Sequence, residues 1–86
     1  MIERKVTKAR KDENGEIIEV GNPVEWWSPR TAAEVINDIE ESFYIYYTML
    51  NGQKIFLKVV NGTGEKHLRT DPERTAKNNL YDLPSC

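Results

Sequence analysis

Residues 43–60 read FYIYYTMLNGQKIFLKVV. Two runs rich in aromatic and β-branched residues, 43–50 and 54–60, flank the pair Asn51-Gly52. Such residues suit the pleated, half-buried surface of a β-strand. Asn and Gly both tolerate the positive φ that a two-residue hairpin turn requires. The stretch therefore predicts a β-hairpin, and the rest of the fold has to be built around it.

Two further Asn-Gly pairs mark turns elsewhere in the chain. Asn14-Gly15 separates residues 2–11 from residues 16–20, which predicts a first hairpin. Asn61-Gly62 opens a turn that leads to a short strand near residues 67–69. Together with the central hairpin, these segments give about five predicted strands.

One stretch predicts an α-helix. Thr31 and Glu34 have the spacing of a capping box, in which the hydroxyl accepts the Glu34 N–H and the carboxylate reaches back to the cap. An apolar stripe at helical spacing follows: Ala32, Val35, Ile36 and Ile39. Three acidic residues are expected to face water: Asp38, Glu40 and Glu41. Ser28-Pro29 offers an alternative start about three residues upstream.

The predicted element order is ββ-α-βββ. A single amphipathic helix must bury its stripe, and an antiparallel sheet with one apolar face is the economical partner. We therefore expect an α+β fold with two layers, in which one helix packs on one face of a mainly antiparallel sheet of about five strands. The length of 86 residues suits one domain, residues 1–86.

Composition restricts the setting of this domain. The single cysteine, Cys86, cannot form an internal disulfide, which favours a reducing compartment. No apolar run approaches the roughly 20 residues that a membrane span needs, and the charged start of the chain is unlike a secretory signal. We therefore expect a cytoplasmic protein without membrane association. The net charge of −2 gives no overall attraction to nucleic acid.

The candidate binding residues form two groups. Adjacent indoles in an extended segment point in opposite directions, so one of Trp26 and Trp27 is expected to close the core and the other to reach the surface. On the central hairpin, one face is expected to lie under the helix: Phe43, Ile45, Tyr47, Ile55, Leu57 and Val59. The other face would then carry aromatic and lysine side chains: Tyr44, Tyr46, Lys54, Phe56 and Lys58. Packing of the indoles, cross-strand aromatic pairing and cover by the C-terminal tail explain the same residues without a binding role.

Three classes of function remain open. A non-catalytic interaction module that binds a protein or peptide is favoured, because strand addition at an open edge needs no special residues. Binding of single-stranded nucleic acid by the aromatic and lysine face is the alternative. A small enzyme or metal protein comes third, because His67 is the only histidine. A catalytic zinc usually needs three protein ligands and a general base needs an oriented partner. No catalytic residue, metal or cofactor is therefore expected.

Three segments carry a resemblance to a known family. They are GNPVEWWSP at residues 21–29, LRTDP at residues 68–72, and the end of the chain from Asn79-Leu80 through Leu83-Pro84 to Cys86. Their order and spacing resemble the small prokaryotic proteins catalogued as domain of unknown function 3892. The resemblance covers nearly the whole chain and implies a free-standing domain. It implies no activity, cofactor or site residue.

Overall fold

A computed structural model describes residues 2–62 and 64–86. In these residues the chain forms an α+β fold with seven strands and one α-helix, α1 (Ala32–Glu40). The strands are β1 (Ile2–Lys5), β2 (Lys8–Lys11), β3 (Ile17–Gly21), β4 (Arg30–Thr31), β5 (Tyr44–Leu50), β6 (Gln53–Asn61) and β7 (Lys66–Thr70). A 3₁₀ turn spans Asn79–Asp82. None of the helical segments in these residues is long and apolar enough to cross a membrane.

The strands form two sheets, where the sequence predicted one sheet of about five strands. A four-stranded sheet has the order β1-β5-β6-β7, and a three-stranded sheet has the order β2-β3-β4. The predicted first strand, residues 2–11, is divided between them. Val6 N–H donates to Tyr47 O (2.7 Å), whereas the next residue, Thr7, donates its N–H to Gly21 O (2.9 Å). The chain therefore changes sheets at this point, and β1 runs parallel to β5.

The central hairpin forms as predicted, but the faces of its first strand are reversed. The two-residue turn pairs Leu50 with Gln53, and the same register pairs Thr48 with Ile55. Alternation then places Tyr44 and Tyr46 on the face that meets α1. Tyr46 has 0% of its surface exposed. The expectation that Phe43, Ile45 and Tyr47 lie under the helix is therefore wrong.

Helix α1 begins at the predicted capping box. Thr31 Oγ1 accepts from Glu34 N–H (3.2 Å), and the Glu34 carboxylate accepts from Thr31 N–H (3.0 Å). The alternative start at Ser28-Pro29 is not used. One acidic residue departs from the prediction, because Asp38 is only 2% exposed instead of facing water. Its burial depends on partners from three other segments, which are described below.

The core lies where α1 packs against both sheets. Its buried members include apolar residues from each part of the chain: Val6, Ala9, Val20, Trp27, Val35, Tyr46, Leu57, Leu68 and Leu80. The C-terminal tail belongs to this core, because Leu80 is 1% exposed and Leu83 packs beside it. The tail is also tied to β2, where Ala9 N–H donates to Pro84 O (2.9 Å).

Candidate functional site

Residues 22–28 form a short loop, here called the tryptophan loop, between β3 and β4. Its two ends are joined, because Asn22 N–H donates to Ser28 Oγ (2.8 Å). The loop is also tied to β1, where Asn22 Nδ2 donates to Lys5 O (3.0 Å). Inside the loop, Glu25 N–H donates to Asn22 O (2.9 Å). These bonds close the loop and fix it beside β1.

The two indoles take opposite environments, as expected. Trp27 is 7% exposed and contacts Tyr46 edge-on, with ring centroids 5.8 Å apart. Trp26 is 85% exposed. Both rings lie over the Arg4 guanidinium, whose Cζ is 5.4 Å from each indole centroid and 3.5 Å from the Tyr44 ring centroid. Arg4 is itself only 4% exposed, so a buried cation supports an exposed aromatic side chain from below.

Beneath this pair lies a buried polar network centred on Asp38. Arg30 Nε and Nη2 donate to the two Asp38 carboxylate oxygens at 2.8 and 2.9 Å, and Tyr46 Oη donates to Asp38 Oδ2. Arg4 Nη1 donates to Tyr46 Oη (2.9 Å). Among the described residues, no fully buried side-chain nitrogen or oxygen lacks a hydrogen-bond partner. The network therefore connects β1, β4, α1 and β5 without leaving a buried polar atom unsatisfied.

The network shifts the titration of both of its central acids. Burial acts to raise the pKa of Asp38, but the hydrogen bonds from Arg30 and Tyr46 and the nearby positive charges outweigh it, so the pKa lies below its ordinary value. Burial, followed by the hydrogen bond to Asp38, raises the pKa of Tyr46. The hydrogen bond to Asp38 likewise raises the pKa of Arg30. The folded state therefore favours the Asp38 carboxylate and the neutral Tyr46 phenol.

These shifts predict stability losses at both ends of the pH scale. As pH falls through about 4, Asp38 becomes protonated in the unfolded chain while it is still ionised in the folded chain. The free energy of unfolding therefore decreases. As pH rises above about 10, the unfolded chain releases the Tyr46 proton before the folded chain does, and the free energy of unfolding decreases again. Urea unfolding across pH should show both declines. Tyr46→Phe should weaken both, and Tyr81→Phe, at an exposed tyrosine, should leave them unchanged. Equal profiles for wild type and Tyr46→Phe would contradict this account.

The predicted aromatic and lysine face is only partly assembled. Lys54, Phe56 and Lys58 lie on the outer face of the four-stranded sheet, opposite α1, whereas Tyr44 and Tyr46 lie on the inner face. On the outer face, Phe56 meets the ring of its cross-strand partner, Tyr47, edge-on at 6.3 Å. Lys54 is paired with the Glu3 carboxylate. Of the five residues predicted for this face, three share it, so the predicted stacking surface is reduced to the Phe56–Tyr47 pair and two lysines.

The two edges of the four-stranded sheet differ. On β7, the Asn78 side-chain amide takes the place of a neighbouring strand and satisfies two edge groups of the backbone. Thr70 N–H donates to Asn78 Oδ1 (3.2 Å), and Asn78 Nδ2 donates to Leu68 O (3.0 Å). On β1, Val6 points its N–H toward β5, so alternation directs the backbone groups of Glu3 and Lys5 outward. Asn22 covers Lys5 O. Outside the strand ladders, the hydrogen bonds found among the described residues do not involve the backbone N–H or C=O of Glu3.

A groove of about 560 Å³ opens between β3, β7 and the first turn of α1. Its walls include apolar side chains: Ile17, Ile18, Ala32, Ile36 and Leu68. His67 lies at its rim with Nδ1 3.1 Å from Glu16 Oε1. Arg69, also on β7, is turned toward the tail and donates to Thr70 O (2.8 Å) and Thr75 O (3.1 Å). Local sequence patterns do not predict this groove, because Glu16 and His67 are 51 residues apart (67 − 16) in the chain.

The C-terminal thiol shows no activation. The pKa of the Cys86 thiol is raised, first by its local burial and then by the charge of Glu19. A thiol of this kind stays protonated at neutral pH and is a poor nucleophile.

A comparison with protein families gives one match over most of the chain. The model described as "Protein of unknown function (DUF3892)" matches residues 5–84. The chain belongs to this family. A search among curated proteins and a search among solved structures return no match. The DUF3892 match includes the tryptophan loop, the groove and the tail, whereas residues 2–4 of β1 precede its first matched residue.

Proposed function

We propose that this DUF3892 domain is a non-catalytic interaction module that binds an extended peptide segment of a partner protein. The segment would add to the outer edge of β1 and place an apolar side chain on Trp26. The observation that carries the proposal is the exposed Trp26 indole, 85% accessible, held over the buried Arg4 guanidinium. The partner is defined by this chemistry: a strand-forming peptide with an aliphatic or aromatic residue facing the indole.

The support beneath Trp26 favours binding over incidental exposure. An indole on a mobile loop would lose conformational freedom when it met a partner, which reduces affinity. Here the loop is closed by the Asn22–Ser28 hydrogen bond and Arg4 Cζ lies 5.4 Å from the indole centroid, so part of that cost is already met in the free protein. Trp is also among the residue types that contribute most at protein interfaces. Two further exposed apolar side chains belong to the same segments: Val24 lies in the tryptophan loop and Ile2 in β1.

The free edge of β1 supports the strand-like form of the ligand. The outward N–H and C=O of Glu3 would give an added strand its main-chain hydrogen bonds, and side chains on alternate positions would give it specificity. The opposite edge of the sheet is closed by Asn78. Of the two edges, β1 is therefore the one available for pairing, and it lies beside the tryptophan loop through the Asn22–Lys5 contact.

The proposal predicts a strong dependence of peptide affinity on Trp26. Peptides would be selected from a displayed random library on the immobilised wild-type domain, and their affinity measured by calorimetry. Trp26→Ala should weaken a selected peptide by about 30-fold, or about 2 kcal/mol, because an aromatic anchor at the centre of the contact is lost. Met49→Ala removes another exposed apolar side chain and should leave the affinity unchanged. Equal binding by wild type and Trp26→Ala would overturn the proposal.

A second pair of variants separates strand addition from simple contact with the indole. Glu3→Pro removes one outward N–H, and it spares the ladder with β5 because Glu3 does not point toward that strand. Glu3→Gln also loses the ion pair with Lys54 but keeps the N–H. The proposal predicts that Glu3→Pro loses most peptide binding and Glu3→Gln keeps it. Amide NMR spectra of both variants verify that the fold is retained, and full binding by folded Glu3→Pro would exclude pairing at this edge.

A further inference from the structure

Three metal-binding side chains meet at the rim of the groove, away from the tryptophan loop. Glu16 lies just before β3, Glu65 just before β7, and His67 within β7. One ligand atom from each of these residues lies within 4.8 Å of the other two. The set combines an imidazole nitrogen with two carboxylates, which is a donor set that divalent transition metals accept.

The local backbone holds the three side chains together. Glu16 N–H donates to Asp12 Oδ1 (2.9 Å) at the first hairpin turn, which fixes the start of β3. Gly62 N–H donates to Glu65 O (2.7 Å) in the turn before β7. A Cβ on Gly62 would lie 2.7 Å from His67 Nε2, so only glycine at this position lets the imidazole pack against the turn without displacement. With Nε2 on that side, Nδ1 is the nitrogen directed at Glu16.

Two basic side chains close to this cluster in sequence have partners outside it. Lys66 lies between Glu65 and His67 in sequence, but its ammonium is bound to the Glu40 carboxylate at 2.8 Å. The Arg69 guanidinium donates to the backbone carbonyls of Thr70, at the end of β7, and Thr75, in the tail. Among the described residues, Glu16 pairs with His67, and Glu65 forms no salt bridge. Two carboxylates this close together repel one another. A divalent cation would supply the missing positive charge.

We propose that Glu16, Glu65 and His67 bind a divalent transition-metal ion, with Zn²⁺ as the fitting case. Tetrahedral zinc with N and O donors at about 2.0–2.1 Å places neighbouring donors about 3.3 Å apart. The observed separation of His67 Nδ1 and Glu16 Oε1, 3.1 Å, already matches that edge. Glu65 completes a set of three protein ligands. Because Glu16 and His67 line the groove, an ion bound by them would lie at its rim, with a fourth position left for water or a small ligand.

The test is a metal titration of the metal-free domain. Because Cys86 is a separate soft ligand, all proteins carry Cys86→Ser. Calorimetry with ZnCl₂ should give one ion per chain, and Co²⁺ should give the visible absorption of a four-coordinate site. His67→Gln, Glu16→Gln and Glu65→Gln should each weaken Zn²⁺ binding by at least about tenfold. Glu73→Gln, a carboxylate outside the cluster, should bind as the parent does.

Three results would overturn the proposal. They are the absence of saturable Zn²⁺ binding in the Cys86→Ser parent, unchanged affinity in the His67→Gln variant, and equal weakening by Glu73→Gln. Thermal unfolding of each metal-free variant verifies its fold before titration. Peptide binding at Trp26 is measured in the same samples with and without Zn²⁺, so failure of the metal site is distinguishable from failure of the peptide site.

Discussion

Asp38→Asn should lower the free energy of unfolding by about 3–5 kcal/mol, the usual cost of removing one member of a buried ion pair. The substitution keeps the size of the side chain but removes the charge that faces Arg30 and, through Tyr46, Arg4. Two guanidinium groups would then remain in or beside the core with no buried carboxylate. The loss should appear as a lower urea midpoint with an unchanged slope of unfolding free energy against urea.

Glu41→Gln provides the matched control for Asp38→Asn. Glu41 ends the same helix and is exposed, so its neutralisation should change stability by less than about 0.5 kcal/mol. The outcome that would contradict the network is a cost for Asp38→Asn no larger than that of Glu41→Gln. Such a result would mean that the interactions of Asp38 with its partners do no more than offset the cost of burying its charge.

The burial of Asp38 marks the limit of what helical periodicity can predict. The capping box at Thr31 and Glu34 predicted the start of α1, because both of its hydrogen bonds are local. The prediction that Asp38 faces water was wrong because its partners come from β1, β4 and β5. The periodicity of the helix says nothing about how those strands are arranged around it. Burial of a charge is favourable only when such partners are in place. Arg4, the most distant contributor, was not among the predicted site residues for the same reason.

The reversed faces of β5 have a different cause, and the sequence contained the information to correct it. Apolar residues occupy both faces of β5, so alternation alone does not specify its register. The two-residue turn at Asn51-Gly52 does specify it. Pairing Leu50 with Gln53 necessarily places Tyr46 opposite Leu57, on the face that carries Ile55 and Val59. Extending the register from the turn would have placed Tyr46 in the core.

The division of the chain into two sheets was beyond reach of local patterns. Residues 2–11 are extended throughout, and their composition does not distinguish pairing with β3 from pairing with β5. The partner of Arg4 in the parallel ladder is Tyr46, 42 residues away. The Trp26-Trp27 pair was predicted more fully, because opposite directions for adjacent residues follow from backbone geometry. The groove and its Glu16–His67 contact were missed because they bring together β3 and β7, which are far apart in the sequence.

Leu80→Ala should lower the free energy of unfolding by about 2–5 kcal/mol, although Leu80 lies in an irregular tail. The side chain is 1% exposed and belongs to the main core cluster, so truncation leaves a cavity under β7. Tyr81→Ala, at the exposed neighbour, should cost far less. Urea unfolding measures both, and a cost below about 1 kcal/mol for Leu80→Ala would show that the tail is not part of the cooperative unit.

The same substitution should also affect the edge of the sheet. Asn78 covers β7 and caps the 3₁₀ turn, where its Oδ1 accepts from Leu80 N–H (3.1 Å). Loosening Leu80 therefore loosens the amide that closes this edge, and an uncovered strand edge favours pairing between chains. Sedimentation velocity should detect more self-association in Leu80→Ala than in Tyr81→Ala under conditions where both are folded. A strictly monomeric Leu80→Ala would mean that β7 is protected by something other than the tail. The structural reason for treating the β7 edge as closed and the β1 edge as open would then be lost.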